Sequence, residues 1–159
     1  MANTLQNLVL VVLALTFIFI VTRQIIIPTI SPAPENLGVS NGRFAPCRKT
    51  PNCVSTHADK SDKEHYIQPL KYETSQKEAY AKIIKAVQSI GGKTKIIISE
   101  NVYIRVENMS PSMGYIDDLE IYFDDEAGDI HFRSASRLGY SDMGMNRKRV
   151  EQIKNNFNT

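Results

Sequence analysis

The sequence predicts an α+β fold: a four-stranded antiparallel meander sheet with two helices on one face, preceded by a single N-terminal transmembrane helix. Three observations predict it. An uncharged apolar run opens the chain, apolar residues recur at helical spacing in two later stretches, and the segments between those stretches alternate apolar with polar residues.

The apolar run comes first. Leu5 to Val21 reads LQNLVLVVLALTFIFIV, with Gln6, Asn7 and Thr16 as its polar members. A helix rises about 1.5 Å per residue, so about 20 mostly apolar residues cross a hydrocarbon core of about 30 Å. The run reaches that length from Asn3 to Thr22. A removable secretory signal is the competing reading. A signal core is shorter, about 7–15 residues, and ends at a small-residue cleavage site. Here Thr22-Arg23-Gln24-Ile25-Ile26-Ile27-Pro28 follows and offers no such site. Residues 3–27 are therefore read as an uncleaved anchor. Cys47 is not a lipidation site, because it lies far beyond the run and follows Phe44-Ala45-Pro46. On orientation two signals oppose each other. Arg23, Arg43, Arg48 and Lys49 after the span favour a cytoplasmic domain, whereas the cysteines favour an extracytoplasmic one.

Pro28, Pro32 and Pro34, with Ser31 and Gly38, stop the helix and make 28–44 an extended linker. Residues 45–159 then form the soluble domain. Its first clear element starts at Ser75, where Ser75-Gln76-Lys77-Glu78 is a capping box. Ala79, Tyr80, Ile83, Ile84, Val87 and Ile90 follow on one helical face, and Gly91 is the expected left-handed stop. Strands are expected over Lys93–Ser99, Asn101–Glu107, Tyr115–Asp124 and Asp129–Ala135, where period-two alternation gives a sheet one apolar and one wet face. Asp125-Glu126-Ala127-Gly128 suits a hairpin. A last helix, about Asn146 to Phe157, puts Val150, Ile153 and Phe157 on one side.

A domain of this size holds one modest core. The net charge of +2 is too small for a nucleic-acid binder, and no motif asks for a cofactor. Cys47 and Cys53 enclose Arg-Lys-Thr-Pro-Asn, a loop that can close as a disulfide and would place the domain in an oxidising compartment. A zinc site with His57 and His65 is the rival. Its spacings exceed the usual ligand pairs, so no metal is assigned. Two free thiols are the bland alternative.

Several segments resemble one family. Asn36-Leu37-Gly38-Val39, Gly42-Arg43-Phe44-Ala45-Pro46-Cys47 and Pro51-Asn52-Cys53-Val54-Ser55 are similar to the opening of the domain-of-unknown-function 1499 family. Asp117-Asp118-Leu119-Glu120 resembles its acidic strand. Arg133-Ser134-Ala135-Ser136-Arg137, Gly139-Tyr140-Ser141-Asp142 and Asn146-Arg147-Lys148-Arg149-Val150-Glu151 resemble its C-terminal signature. The likeness runs over residues 36–155, with Arg48-Lys49-Thr50 as a small departure. It implies an extracytoplasmic, bacterial periplasmic domain on the inner membrane, and no activity.

Candidate chemistry is sparse. Arg133 and Arg137 share strand parity, and with Tyr140, Asp142 and Asn146 they outline a site for a carboxylate or phosphate. The ordinary alternative pairs these arginines with Asp117, Asp118 or Glu120 at about 0.2–1 kcal/mol per cross-strand pair. The acidic turn fits no EF-hand loop, no G-x-S-x-G is present, and Arg147-Lys148-Arg149 reads as a solvated helix face, with contact to anionic headgroups of the nearby membrane as the alternative. Two functions follow. One is a membrane-anchored binding module for an envelope component or partner protein. The other is an enzyme acting on an anionic substrate through Arg133, Arg137, Tyr140 and Asp142.

Overall fold

The computed structural model describes residues 2–100, 102–111 and 113–159. Helix α1 (Ala2–Val21) passes through a wider π-helical stretch, Thr22–Ile26, into a short α2 (Ile27–Thr29). Together they make one apolar helix over Asn3–Thr29, long enough to cross a membrane or to act as a signal sequence. Beyond it come β1 (Val39–Ser40), β2 (Arg43–Phe44), β3 (Cys53–Ser55), β4 (Leu70–Lys71) and α3 (Gln76–Gln88). Then follow β5 (Lys93–Glu100), β6 (Tyr103–Met109), β7 (Ile116–Asp124), β8 (Asp129–Ser136) and α4 (Met145–Phe157).

The four expected strands are β5 to β8, and they form the antiparallel meander. Asn101, the expected start of the second, lies outside the described residues. The sheet has six strands rather than four. β3 and β4 both pair with β8, at opposite ends of its outer edge. At three and two residues they are too short to show a period. The Cys47–Cys53 disulfide, with Cα atoms 5.7 Å apart, holds the irregular loop before β3. It also removes both thiolates from any zinc site.

Helix α3 begins at the expected capping box. Ser75 Oγ accepts from Glu78 N, and Glu78 reaches back to Ser75 N. Its stop differs by one residue. The left-handed residue is Gly92 (φ +89°), not Gly91, because Ile90 turns down into the core first. A Cβ on Gly92 would also lie 3.1 Å from Asn108 Oδ1 and from Met109 O, so the strand start crosses closely over β6.

The core follows parity. Ile104 and Val106 of β6, Leu119, Ile121 and Phe123 of β7, and Ile130 and Phe132 of β8 point to one side. There they join Ala79, Ile83 and Val87 of α3 and Val150, Ile153 and Phe157 of α4 in one buried cluster.

The other face of the sheet is not wet as expected. Residues 31–44 lie across it. Gly38 N donates to Glu120 Oε1 at 2.6 Å, Arg137 Nη1 donates to Ser31 O at 3.0 Å, and Phe44 packs edge-on against Tyr122. Within this segment Val39 pairs with Phe44 around Asn41-Gly42, both at positive φ, as a two-residue hairpin turn requires. In consequence β7 is buried on both sides from Ile116 to Ile121. Asp118, Glu120 and Arg133 are buried with it. A carboxylate survives there only beside a cation or several donors, and these carboxylates have both.

Candidate functional site

At one end of the sheet the register brings Asn108 beside Asp117, and Asp117 beside Ser136. Helix α4 lays Arg149 over these strand ends. Its Nη2 donates to Asp117 Oδ2 at 2.7 Å and to Asn108 Oδ1 at 3.2 Å. Its Nη1 donates to Asn146 Oδ1 at 2.5 Å and to Ser134 Oγ at 3.2 Å. Asn146 turns its amide the other way, to Ser136 Oγ at 3.0 Å and Asn52 O at 3.1 Å. This network lies on the same side of the sheet as the apolar core.

Two loops rise around the network. One joins β6 to β7 and closes on itself, with Ser110 N donating to Tyr115 O and Tyr115 N to Ser110 Oγ. The other leads from β8 to α4. There Asp142 accepts from Gly144 N at 2.9 Å and Asn146 N at 2.6 Å, which sets the start of the helix. Between them opens a cleft of about 450 Å³. Ile90, Pro111, Tyr115, Leu138 and Met145 supply apolar walls. Asp117, Lys148 and Arg149 supply the polar ground. A concave, mostly apolar site with a few convergent polar groups is the usual form of a small-molecule site.

The residues singled out in the sequence are divided by the fold. Asp142 lines the cleft, Asn146 lies buried beneath it, and Tyr140 is 73% exposed beside it. Arg133 and Arg137 are on the opposite face of the sheet. Arg133 Nη1 donates to Glu120 at 2.8 Å, and Arg137 Nε to Asp118 at 2.7 Å. Arg137 also binds Glu107, and its pKa is raised further by these carboxylate hydrogen bonds. With Arg48 and Asp118 the two arginines line a separate cavity of about 240 Å³ under Pro32 and Pro34.

Read from the sequence, Asn108 and Arg149 belong to no site, and Asp117 is offered only as a partner of Arg133 or Arg137, whereas it pairs with Arg149. Arg149 in particular is buried rather than solvated. The signals were present: Asp117 shares the parity of Leu119 and Ile121, and Arg149 stands four residues before buried Ile153.

A histidine pair lies on the second face, beside the β1–β2 hairpin. The His57 and His131 rings are 4.3 Å apart, and His57 Nδ1 accepts from Phe44 N at 3.1 Å. Burial, then the nearby His131 and Arg43, push the His57 pKa down to about 4, against a weaker upward pull from Asp124. Burial also lowers the His131 pKa. In the unfolded chain such a residue takes up a proton near pH 6.5. Between that pH and about 4 the unfolded state therefore binds more protons, and stability rises with pH. Acidification through this window is expected to cost roughly 1–2 kcal/mol at His57, allowing for its partial exposure. His65 works in the opposite sense: burial lowers its pKa, but hydrogen bonds to Asp62 and Thr50 O, with the charges of Asp62 and Glu64, together raise it. Urea titrations of wild type and His57→Gln across the window check the sign: the variant should show the shallower slope.

A family model described as a protein of unknown function, DUF1499, matches residues 43–157. No curated protein and no solved structure matches the chain. The matched span runs from β2 through the sheet to the end of α4, and so includes both faces of the sheet and the cleft. The chain belongs to the DUF1499 family.

Proposed function

We propose that the chain is a membrane-anchored, extracytoplasmic binding module, and that the cleft at the sheet end holds its ligand. The observation that carries this reading is the cleft: about 450 Å³, walled by apolar side chains and floored by the Arg149–Asp117 pair. Such a site suits an amphipathic envelope component, its apolar body against Ile90, Leu138 and Met145 and its polar group toward Lys148 and Arg149. The Asn3–Thr29 helix supports the anchor, and the disulfide supports an oxidising compartment.

The enzyme reading through Arg133, Arg137, Tyr140 and Asp142 has less support. Both arginines give donors to carboxylates of the chain itself, on the far side of the sheet from Asp142.

Native mass spectrometry of the full chain extracted from membranes tests the proposal in one measurement. The mass should retain the N-terminal helix, lack the two hydrogens of the disulfide and carry a bound small molecule. Leu138→Trp, which fills the cleft, should lose that molecule and keep its melting temperature. A chain trimmed beyond Arg23 would remove the anchor. A wild type carrying no small molecule, or the same molecule retained by Leu138→Trp, would remove the cleft.

A further inference from the structure

We infer that the loops around the cleft mouth form a bilayer-docking surface, which sets the cleft against the lipids of the membrane that holds the anchor. The inference rests on the anchored reading above. Met143 is 95% exposed, Tyr140 73% and Met145 50%, and from the other loop Tyr115 is 43% and Met113 39% exposed. Tyr115 and Met145 line the same cleft, so the two loops present one patch. Single exposed apolar side chains are ordinary on a soluble surface, but a run of them on adjoining loops marks an interface.

The place of the patch says which interface. The β6–β7 loop touches the apolar helix at Arg23, in its last two turns: a Cβ on Gly114 would lie 2.7 Å from Arg23 O and 3.0 Å from Arg23 Cγ. Gly114 has φ +77°, so a side chain there is excluded by both backbone and neighbour. Exposed Ile25, Ile26 and Ile30 continue the apolar surface from the helix onto the domain. On the anchored reading, the patch begins where the uncharged run gives way to its first charged residue, Arg23.

Composition agrees. Tyrosines suit the headgroup level, where one end of the ring is wet, and methionines adapt to an irregular apolar phase. Arg23 and exposed Lys148 lie at this end and suit anionic headgroups. The β7–β8 turn, with Asp124, Asp125 and Glu126, is at the opposite end of the sheet. Headgroup charge would therefore attract the cleft end and repel the far end. A bilayer satisfies all of these features together.

The chain contains no tryptophan, so each introduced indole is its only one. Full-length Met143→Trp, Tyr140→Trp and Glu126→Trp would be reconstituted in vesicles of phosphatidylethanolamine and phosphatidylglycerol, with and without brominated acyl chains. The first two indoles are expected to emit to the blue and to be quenched about twofold or more by the brominated lipid. Glu126→Trp should be unaffected. Flotation of the same vesicles separates the two readings. A chain that does not float refutes the anchor and the docking with it. A floating chain whose Met143→Trp and Tyr140→Trp emission matches Glu126→Trp overturns the docking alone. A blue shift without quenching, lost when the protein is diluted in lipid, would show another copy on the patch and overturn it too.

Discussion

Glu120→Ala is expected to lower the unfolding free energy by about 3–5 kcal/mol, because it strands a buried guanidinium. Glu120 is fully buried. Its oxygens accept from Arg133 Nη1 at 2.8 Å, Tyr103 Oη at 2.9 Å and Gly38 N at 2.6 Å. Removing the carboxylate leaves Arg133 charged, 6% exposed and with its Nε already without a hydrogen-bond partner among the described residues. It also frees the segment that covers the sheet, since the Gly38 bond ties that segment down. A double variant, Glu120→Leu with Arg133→Met, should recover most of the loss, as apolar replacement of a buried pair is often neutral. Denaturant titration of the three proteins measures this. A second readout is local. Burial, followed by the Glu120 charge, pushes the Tyr103 phenol far above its ordinary pKa. In Glu120→Ala that phenol should titrate at lower pH by ultraviolet absorbance.

Arg149→Ala is expected to cost as much, about 3–5 kcal/mol, for the same physical reason at the other face. Its guanidinium answers Asp117, Asn108, Asn146 and Ser134 together, and Asp117 would be left buried without a cation. Arg149→Lys separates fold from site. An ammonium keeps the charge for Asp117 but cannot reproduce the planar fork. The lysine variant should therefore lose less stability, and on the proposed reading its disturbed cleft floor should weaken the hold on any molecule that co-purifies. Melting curves and native mass spectrometry of both variants check the two parts separately.

Much of the chain is legible as written. The capping box at Ser75 and the spacing through Ile83 and Val87 announce α3. Val150, Ile153 and Phe157 announce α4, and alternation announces β5 to β8. These are local signals: a helix or a long strand is encoded by neighbours three, four or two residues apart. The hairpin signal at Asn41-Gly42 is equally local, and it competes there with Pro28, Pro32 and Pro34, which favour an extended linker. β3 and β4 were beyond reach, since two or three residues carry no period and need β8 to define them.

The apolar helix, the two later helices, the meander and the sharing of faces among strand side chains all follow from the sequence. What each face meets does not. Alternation puts Asp118, Glu120 and Arg133 together on one side of the sheet, and such a side reads as solvated. Only the tertiary structure shows it covered and neutralised, through contacts such as Gly38 to Glu120, 82 residues apart. The same holds for the cleft. Arg149 in a basic run looks exposed until α4 is laid on the sheet and the register places Asp117 and Asn108 beneath it. A charged side chain has one identity in the sequence and two possible environments. Long-range packing chooses between them, by supplying or withholding the partner that makes burial tolerable.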